Sequence, residues 1–147
     1  MIDSIQRVKQ EFYDLLSQDG TEIEVFELPE NCSVANDAYI VKGLGYVVIL
    51  ASSENPGEWE FEESLESDLN SLCQNHQQKV YYVFLIVRQD GRGANGYIVS
   101  DFNDKPVKKP FEVLDGKYRV KEKRNFDSLR LLLSTDKIVN ILLRNKS

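Results

Sequence analysis

The stretch KVYYVFLIVRQ, Lys79 to Gln89, continues through the loop DGRGAN into GYIVSDF, which ends at Phe102. Its reading decides the fold. Val80 to Val87 is an unbroken apolar run of β-branched and aromatic residues, bounded by charge and a glycine-rich turn. That composition belongs to a strand buried on both faces, in the middle of a sheet rather than at its edge. The run is too short to span a membrane and short for a core helix. The other elements take their places as neighbours or covers of this strand.

Toward the N-terminus, Ile5, Val8, Phe12, Leu15 and Leu16 fall on one stripe of an amphipathic helix, with Asp3 or Ser4 to cap it and Gly20 to end it. Thr21 to Leu28 alternates acidic and apolar residues, the pattern of a strand with one wet face, and Pro29 stops it. A polar loop runs to Asn36. Ala38 to Lys42 and Tyr46 to Ala51 read as a hairpin, because Gly43 and Gly45 supply the positive φ of a short connection. Asn55-Pro56-Gly57-Glu58 combines a cap, a proline at the first helical position and an acid at the third. A helix is expected from there to about His76, with Phe61, Leu65, Leu69 and Leu72 on its apolar stripe.

Toward the C-terminus, Asp104 to Pro110 is a connection. Phe111 to Leu114 and Lys117 to Glu122 form a second hairpin around Asp115-Gly116, a pair suited to the tight turn between twisted strands. A short helix is expected from Asn125 or Asp127 through Leu133, and a last one, capped within Ser134 to Asp136, through Leu143. The expected order is α-β-β-β-α-β-β-β-β-α-α. This is an α+β protein with a mixed or mostly antiparallel sheet and helices packed against it, in a single domain spanning 1–147.

A hydrophobic fraction of 41% with 29% charged residues places the chain among globular proteins rather than disordered ones. Cys32 and Cys73 are too few for a disulfide framework and make no pair with metal-ligand spacing. Met1 to Gln10 lacks the apolar core of a secretory signal, and a cytoplasmic address is the expectation. No cofactor motif and no metal-ligand set stands out.

The net charge of −6 is unevenly spread. Residues 1–103 hold 6 Lys and Arg against 18 Asp and Glu, whereas residues 104–147 hold 12 against 6. Such asymmetry marks either a surface facing a charged partner or two faces of one domain. Glu58, Glu60, Glu62, Glu63, Glu66 and Asp68 crowd the expected start of the second helix around Trp59. An aromatic flanked by acids suits the anchor of a protein partner; a solvated helix face with a core tryptophan at its end is the plainer reading. Lys117, Arg119, Lys121 and Lys123 alternate and share one strand face, suited to phosphates or to guarding a sheet edge.

Gly91 to Gly96 matches G-x-G-x-x-G after a strand, but Tyr97, Ile98 and Val99 begin another strand where a dinucleotide fold needs a helix. A hairpin loop is expected, with Arg92 at its tip as a partner contact. His76 has no Ser, Cys or Asp at a spacing that would argue a triad.

The first six elements, α-β-β-β-α-β, resemble the nuclease core named for its PD-(D/E)-x-K motif. That family sets an Asp on the second core strand and an acid-x-Lys on the third to hold Mg²⁺. Asp37 stands at the first of these positions, but Tyr46 to Ser52 offers no acid-x-Lys. A second frame would use Asp101 or Asp104 with Asp115-Gly116-Lys117, whose letters coincide with the hairpin turn. The resemblance implies a fold whose usual catalytic signature is missing.

Two functions follow as expectations. The first is a non-enzymatic protein-binding protein, of inhibitor, immunity or adaptor type, engaging a basic partner through an acidic surface that includes Trp59, Glu62 and Glu63, with Arg92. The alternative is a nucleic-acid-binding, nuclease-like protein using Lys117, Arg119, Lys121 and Lys123.

Overall fold

An apolar run as unbroken as Val80 to Val87 needs cover on both sides, and the strand Lys79–Val87 (β5) has it. The structure, a computed structural model, describes residues 4–30, 32, 36–76, 78–88, 90, 93–100, 102, 107–126 and 132–146, without the side chains of 19 and 74–76. β5 lies inside a six-stranded sheet with Ile23–Phe26 (β1), Asn36–Val41 (β2), Gly45–Ser52 (β3), Ala94–Val99 (β6) and Leu133–Ser134 (β9). The order is β1-β2-β3-β5-β6-β9. β3 and β5 run parallel and the other neighbours antiparallel, so the sheet is mixed. Gly45 lies against Lys79 so closely that a Cβ there would sit 2.2 Å from the Lys79 carbonyl oxygen.

Ser4–Leu16 (α1) and Thr135–Arg144 (α4) cover one face of this sheet. Val8, Phe12, Leu16, Ile138 and Leu142 pack there on Val47, Ile49, Val83 and Leu85. The other face meets Glu63–His76 (α2) and a three-stranded sheet made of Glu58–Glu62 (β4), Glu112–Leu114 (β7) and Lys117–Lys121 (β8), in the order β4-β8-β7. Val48, Leu50, Tyr82 and Phe84 pack there on Trp59, Phe61, Leu65, Leu69 and Phe126. The fold is α+β, as the sequence implies.

Glu58 to Glu62 corrects one expectation. The residues expected to open the second helix are a strand, and the helix begins at Glu63. Glu58-Trp59-Glu60-Phe61-Glu62 alternates with period two, which puts Trp59 and Phe61 together on the core side. Burying two large aromatics outweighs the local capping signal at Asn55-Pro56-Gly57. With the helix starting later, Leu72, expected on its apolar stripe, is partly exposed, while Cys73 is buried.

The C-terminal part is also redrawn. Glu122–Asn125 (α3) is a short helix directly after β8, and Leu133 belongs to β9. The expected helix from Asp127 lies mostly outside the described residues, as do Asp3, Gln89, Gly91, Arg92, Asp101, Asp104 and Arg130. Ser134 caps α4 as expected, its Oγ accepting from the Lys137 N–H at 3.3 Å. Asp115 and Gly116 both take positive φ, 54° and 76°, in the hairpin turn. Among the described residues no helix is long and apolar enough to cross a membrane.

Candidate functional site

The two charged stretches singled out from the sequence meet each other. β4 pairs antiparallel with β8, and the register sets Glu58 opposite Lys121, Glu60 opposite Arg119 and Glu62 opposite Lys117. Lys117 Nζ lies 3.7 Å from Glu62 Oε1, and Arg119 Nη1 lies 3.7 Å from Glu60 Oε2. On the far side of β8, Glu112 of β7 faces Arg119, and its carboxylate takes Arg124 at 3.1 Å. The acids at 58–62 and the bases at 117–121 thus form a cross-strand ladder. Each loose, partly exposed pair contributes about 0.2–1 kcal/mol.

The predicted partner-binding residues are dispersed. Trp59 is 4% exposed; its indole N–H donates to the Leu85 carbonyl at 3.0 Å and its ring packs on Phe84 and Phe126. It is a core residue, because alternation along β4 turns it inward, and it offers no surface anchor in this fold. Glu62 is engaged by Lys117, while Glu63 is exposed at the start of α2. Arg92 lies outside the described residues. The outer face of α2 presents Glu63, Ser64, Ser67, Asp68 and Ser71, with Leu72 beside them. Behind it, Tyr118 of β8 donates its hydroxyl to Glu66, and burial first, then the Glu66 and Glu63 charges, push its phenol upward.

Of the predicted nucleic-acid residues, Lys117 and Arg119 carry the ion pairs above, whereas Lys121 and Lys123 are exposed. Sequence reasoning missed what gathers further lysines beside them. Asn125, wholly buried, accepts the Lys121 N–H on Oδ1 at 2.9 Å and donates from Nδ2 to the carbonyls of Lys109 and Pro110 at 3.2 and 3.0 Å. Its own carbonyl accepts the Lys108 N–H at 2.8 Å. The exposed Lys108 and Lys109 therefore start from the same point as Lys121 and Lys123.

Asp37 occupies β2, where Lys9 of α1 reaches it at 3.2 Å. Lys9 is 3% exposed, so its ammonium is a buried cation held on a carboxylate. The register sets Asp37 opposite Ile49, and the neighbours of Ile49 on the same face of β3 are Val47 and Ala51, all in the core against α1 and α4. An acid-x-Lys next to Asp37 would have to replace these apolar side chains. Among the described residues no three His, Cys, Asp or Glu side chains come together to hold a metal ion. The second frame fares no better, since Asp115-Gly116-Lys117 is the β7–β8 turn.

No protein-family model matches the sequence, and no curated protein matches it. Among solved structures it is similar to Hjc, a Holliday junction resolvase from the archaeal hyperthermophile Archaeoglobus fulgidus. That likeness has a TM-score of 0.44 and 12% identity, over 88% of this chain and 94% of that one.

The glycine motif runs into β6 at Ala94, a strand, as its sequence context implies. Burial raises the Cys73 thiol above its ordinary range; burial and then Glu62 raise that of Cys32, against the pull of Lys117. Neither cysteine is an activated nucleophile in this setting. The side chain of His76 lies outside the described residues. A cleft of about 310 Å³ opens over Trp59 between Asn36, Glu54, Glu58, Glu60, Arg119 and Lys121, with charge of both signs on its walls.

Glu122 is a further residue the sequence did not flag. It is 7% exposed amid a basic run, accepting the Gly57 N–H at 3.2 Å and the Tyr97 hydroxyl at 2.5 Å. The signal was a lone acid interrupting Lys121 and Lys123, which reads locally as a surface charge.

Proposed function

We propose that this chain is a non-enzymatic protein-binding protein, of inhibitor, immunity or adaptor type, that engages a basic partner through acidic surface. The observation that carries the reading is the β4–β8 ladder. It engages Lys117 and Arg119 with Glu62 and Glu60, so that half of the basic run is paired within the fold, while the outer face of α2 keeps Glu63 and Asp68 in solvent. The proposed contact residues move accordingly from the expected Trp59, Glu62 and Glu63 to Glu63 and Asp68, with Leu72 as the adjoining apolar contact.

The test is capture on immobilised protein, with and without nuclease, comparing the parent with a Glu63→Lys, Asp68→Lys variant. Both residues are exposed, so the variant keeps the fold. A stoichiometric basic protein that survives nuclease and is lost with the variant supports the reading. Equal capture by both removes the α2 face from it.

The alternative, a nucleic-acid-binding protein, draws support from one specific feature, the Asn125 junction that sets Lys108 and Lys109 beside Lys121 and Lys123. Phosphate binding there falls steeply with salt, and neutralising Lys121 and Lys123 reduces the salt slope by about two contacts' worth. Binding to DNA or RNA that ignores salt, or ignores those two lysines, removes this alternative.

A further inference from the structure

β1 closes one end of the large sheet, and among the described residues no strand pairs with its outer side. It pairs with β2 alone among the described residues, in the register Ile23 to Val41, Glu24 to Ile40, Val25 to Tyr39 and Phe26 to Ala38. One position earlier, the Lys42 N–H donates to the Glu22 carbonyl at 3.0 Å. Hydrogen-bonded and non-bonded pairs alternate along an antiparallel ladder. Glu22, Glu24 and Phe26 therefore turn their backbone groups toward β2, and Ile23 and Val25 turn theirs outward. Val25 is 68% exposed, the most exposed large apolar side chain among the described residues.

This edge is acidic. Glu22, Glu24, Glu27 and Glu30 are all exposed, and among the described residues only Glu22 of these pairs with a lysine, Lys42 at 3.1 Å. Charge on an edge strand prevents pairing with like edges. A second copy added at β1 would bring the exposed glutamates of both chains within a Debye length of one another. The same charges favour an extended cationic segment.

We propose that the outer edge of β1 is a docking strand to which the partner adds an extended segment of alternating basic and apolar residues. Main-chain hydrogen bonds form to Ile23 and Val25. The apolar side chains lie beside Val25 on the α1 side of the sheet, and the basic ones beside Glu24 on the other. This inference rests on the reading that the protein binds a basic partner, and it names how that partner is held.

The experiment measures fluorescence anisotropy of a labelled synthetic peptide alternating lysine and valine, with the full chain. The same peptide N-methylated at every second residue keeps the charge and loses the donors. Binding of the plain peptide, weakened about tenfold or more by methylation, is the expected result. Val25→Pro removes an outward N–H without breaking a β1–β2 bond, and weakens the plain peptide to a similar degree. Glu24→Lys with Glu27→Lys switches preference to a peptide alternating glutamate and valine. Equal binding of plain and methylated peptides overturns the proposal, as does dimerisation of the chain that Val25→Pro abolishes. Capture of a basic protein that persists in Val25→Pro overturns the docking strand and leaves the wider reading standing. A parent that captures no basic protein overturns the wider reading.

Discussion

The hydroxyl of Tyr97 on β6 meets the carboxylate of Glu122 on α3 at 2.5 Å, inside the protein, while the same carboxylate holds the Gly57 N–H. One acid thereby ties the large sheet, the small sheet and the turn before β4 to each other. The Tyr97 ring lies flat on Phe126, 4.3 Å away, so the hydroxyl is aimed by packing as well as by its bond.

Removing that hydroxyl leaves a buried carboxylate short of one donor. Tyr97→Phe destabilises the protein by about 1–3 kcal/mol, and Glu122→Gln by less than Glu122→Ala, because the amide oxygen still serves Gly57. Urea unfolding of the three variants measures the order.

Trp59 contributes to stability rather than to capture. Trp59→Ala costs about 3–5 kcal/mol through lost contact with Phe84 and Phe126, and Trp59→Phe recovers most of it while losing the bond to Leu85. At a temperature where both variants remain folded, partner capture by Trp59→Phe equals that of the parent. A selective loss of capture without loss of stability would contradict the core assignment.

The Lys9–Asp37 pair is asymmetric, since the lysine is buried and the aspartate is 38% exposed. Asp37→Ala takes a carboxylate away from a buried ammonium and destabilises by about 2–3 kcal/mol, below the range for a fully buried pair because water reaches the carboxylate. Lys9→Met, which keeps the apolar stem and removes the charge, costs less. Thermal unfolding of the two variants compares them directly.

Tyr39 gives a pH dependence with a definite sign. Burial, then the charge of Asp37, pushes its phenol up to about 12 from an ordinary value of 10.0. The folded state thus keeps its proton more tightly than the unfolded chain does. The stability from this group is fully present below pH 10 and is lost as pH rises toward 12. Tyr82 and Tyr118 shift in the same direction by burial, which adds to the loss. Denaturant midpoints followed through that window fall in the parent and fall less steeply in Tyr39→Phe.

β5 was legible because its signal is local: the unbroken apolar run from Val80 to Val87 fits a doubly covered strand. The hairpin at Asp115-Gly116 was legible for the same reason, since the turn demands positive φ at both positions. β4 was obscured because Asn55-Pro56-Gly57-Glu58 speaks for a helix over four residues, while the burial that decides otherwise comes from Phe84, distant in sequence. The charge ladder was illegible for a related reason. Glu60 and Arg119 are each ordinary in their own segments, and only the register of two strands far apart in the chain brings them together. Asn125 gave no local sign at all, because a buried carboxamide and an exposed one are spelled alike.

The parallel pairing of β3 with β5 imposes an order on synthesis. Its two strands are separated by β4 and α2, so the middle of the sheet cannot close until the chain has been made as far as Val87. The α1-side wall of that sheet waits longer, for Ile138, Val139 and Leu142 follow later in the chain still. A nascent chain halted before Thr135 carries a formed sheet centre with Val47, Ile49, Val83 and Leu85 covered by α1 alone. Until α4 is made, part of that apolar wall stays open to the neighbours of the growing chain.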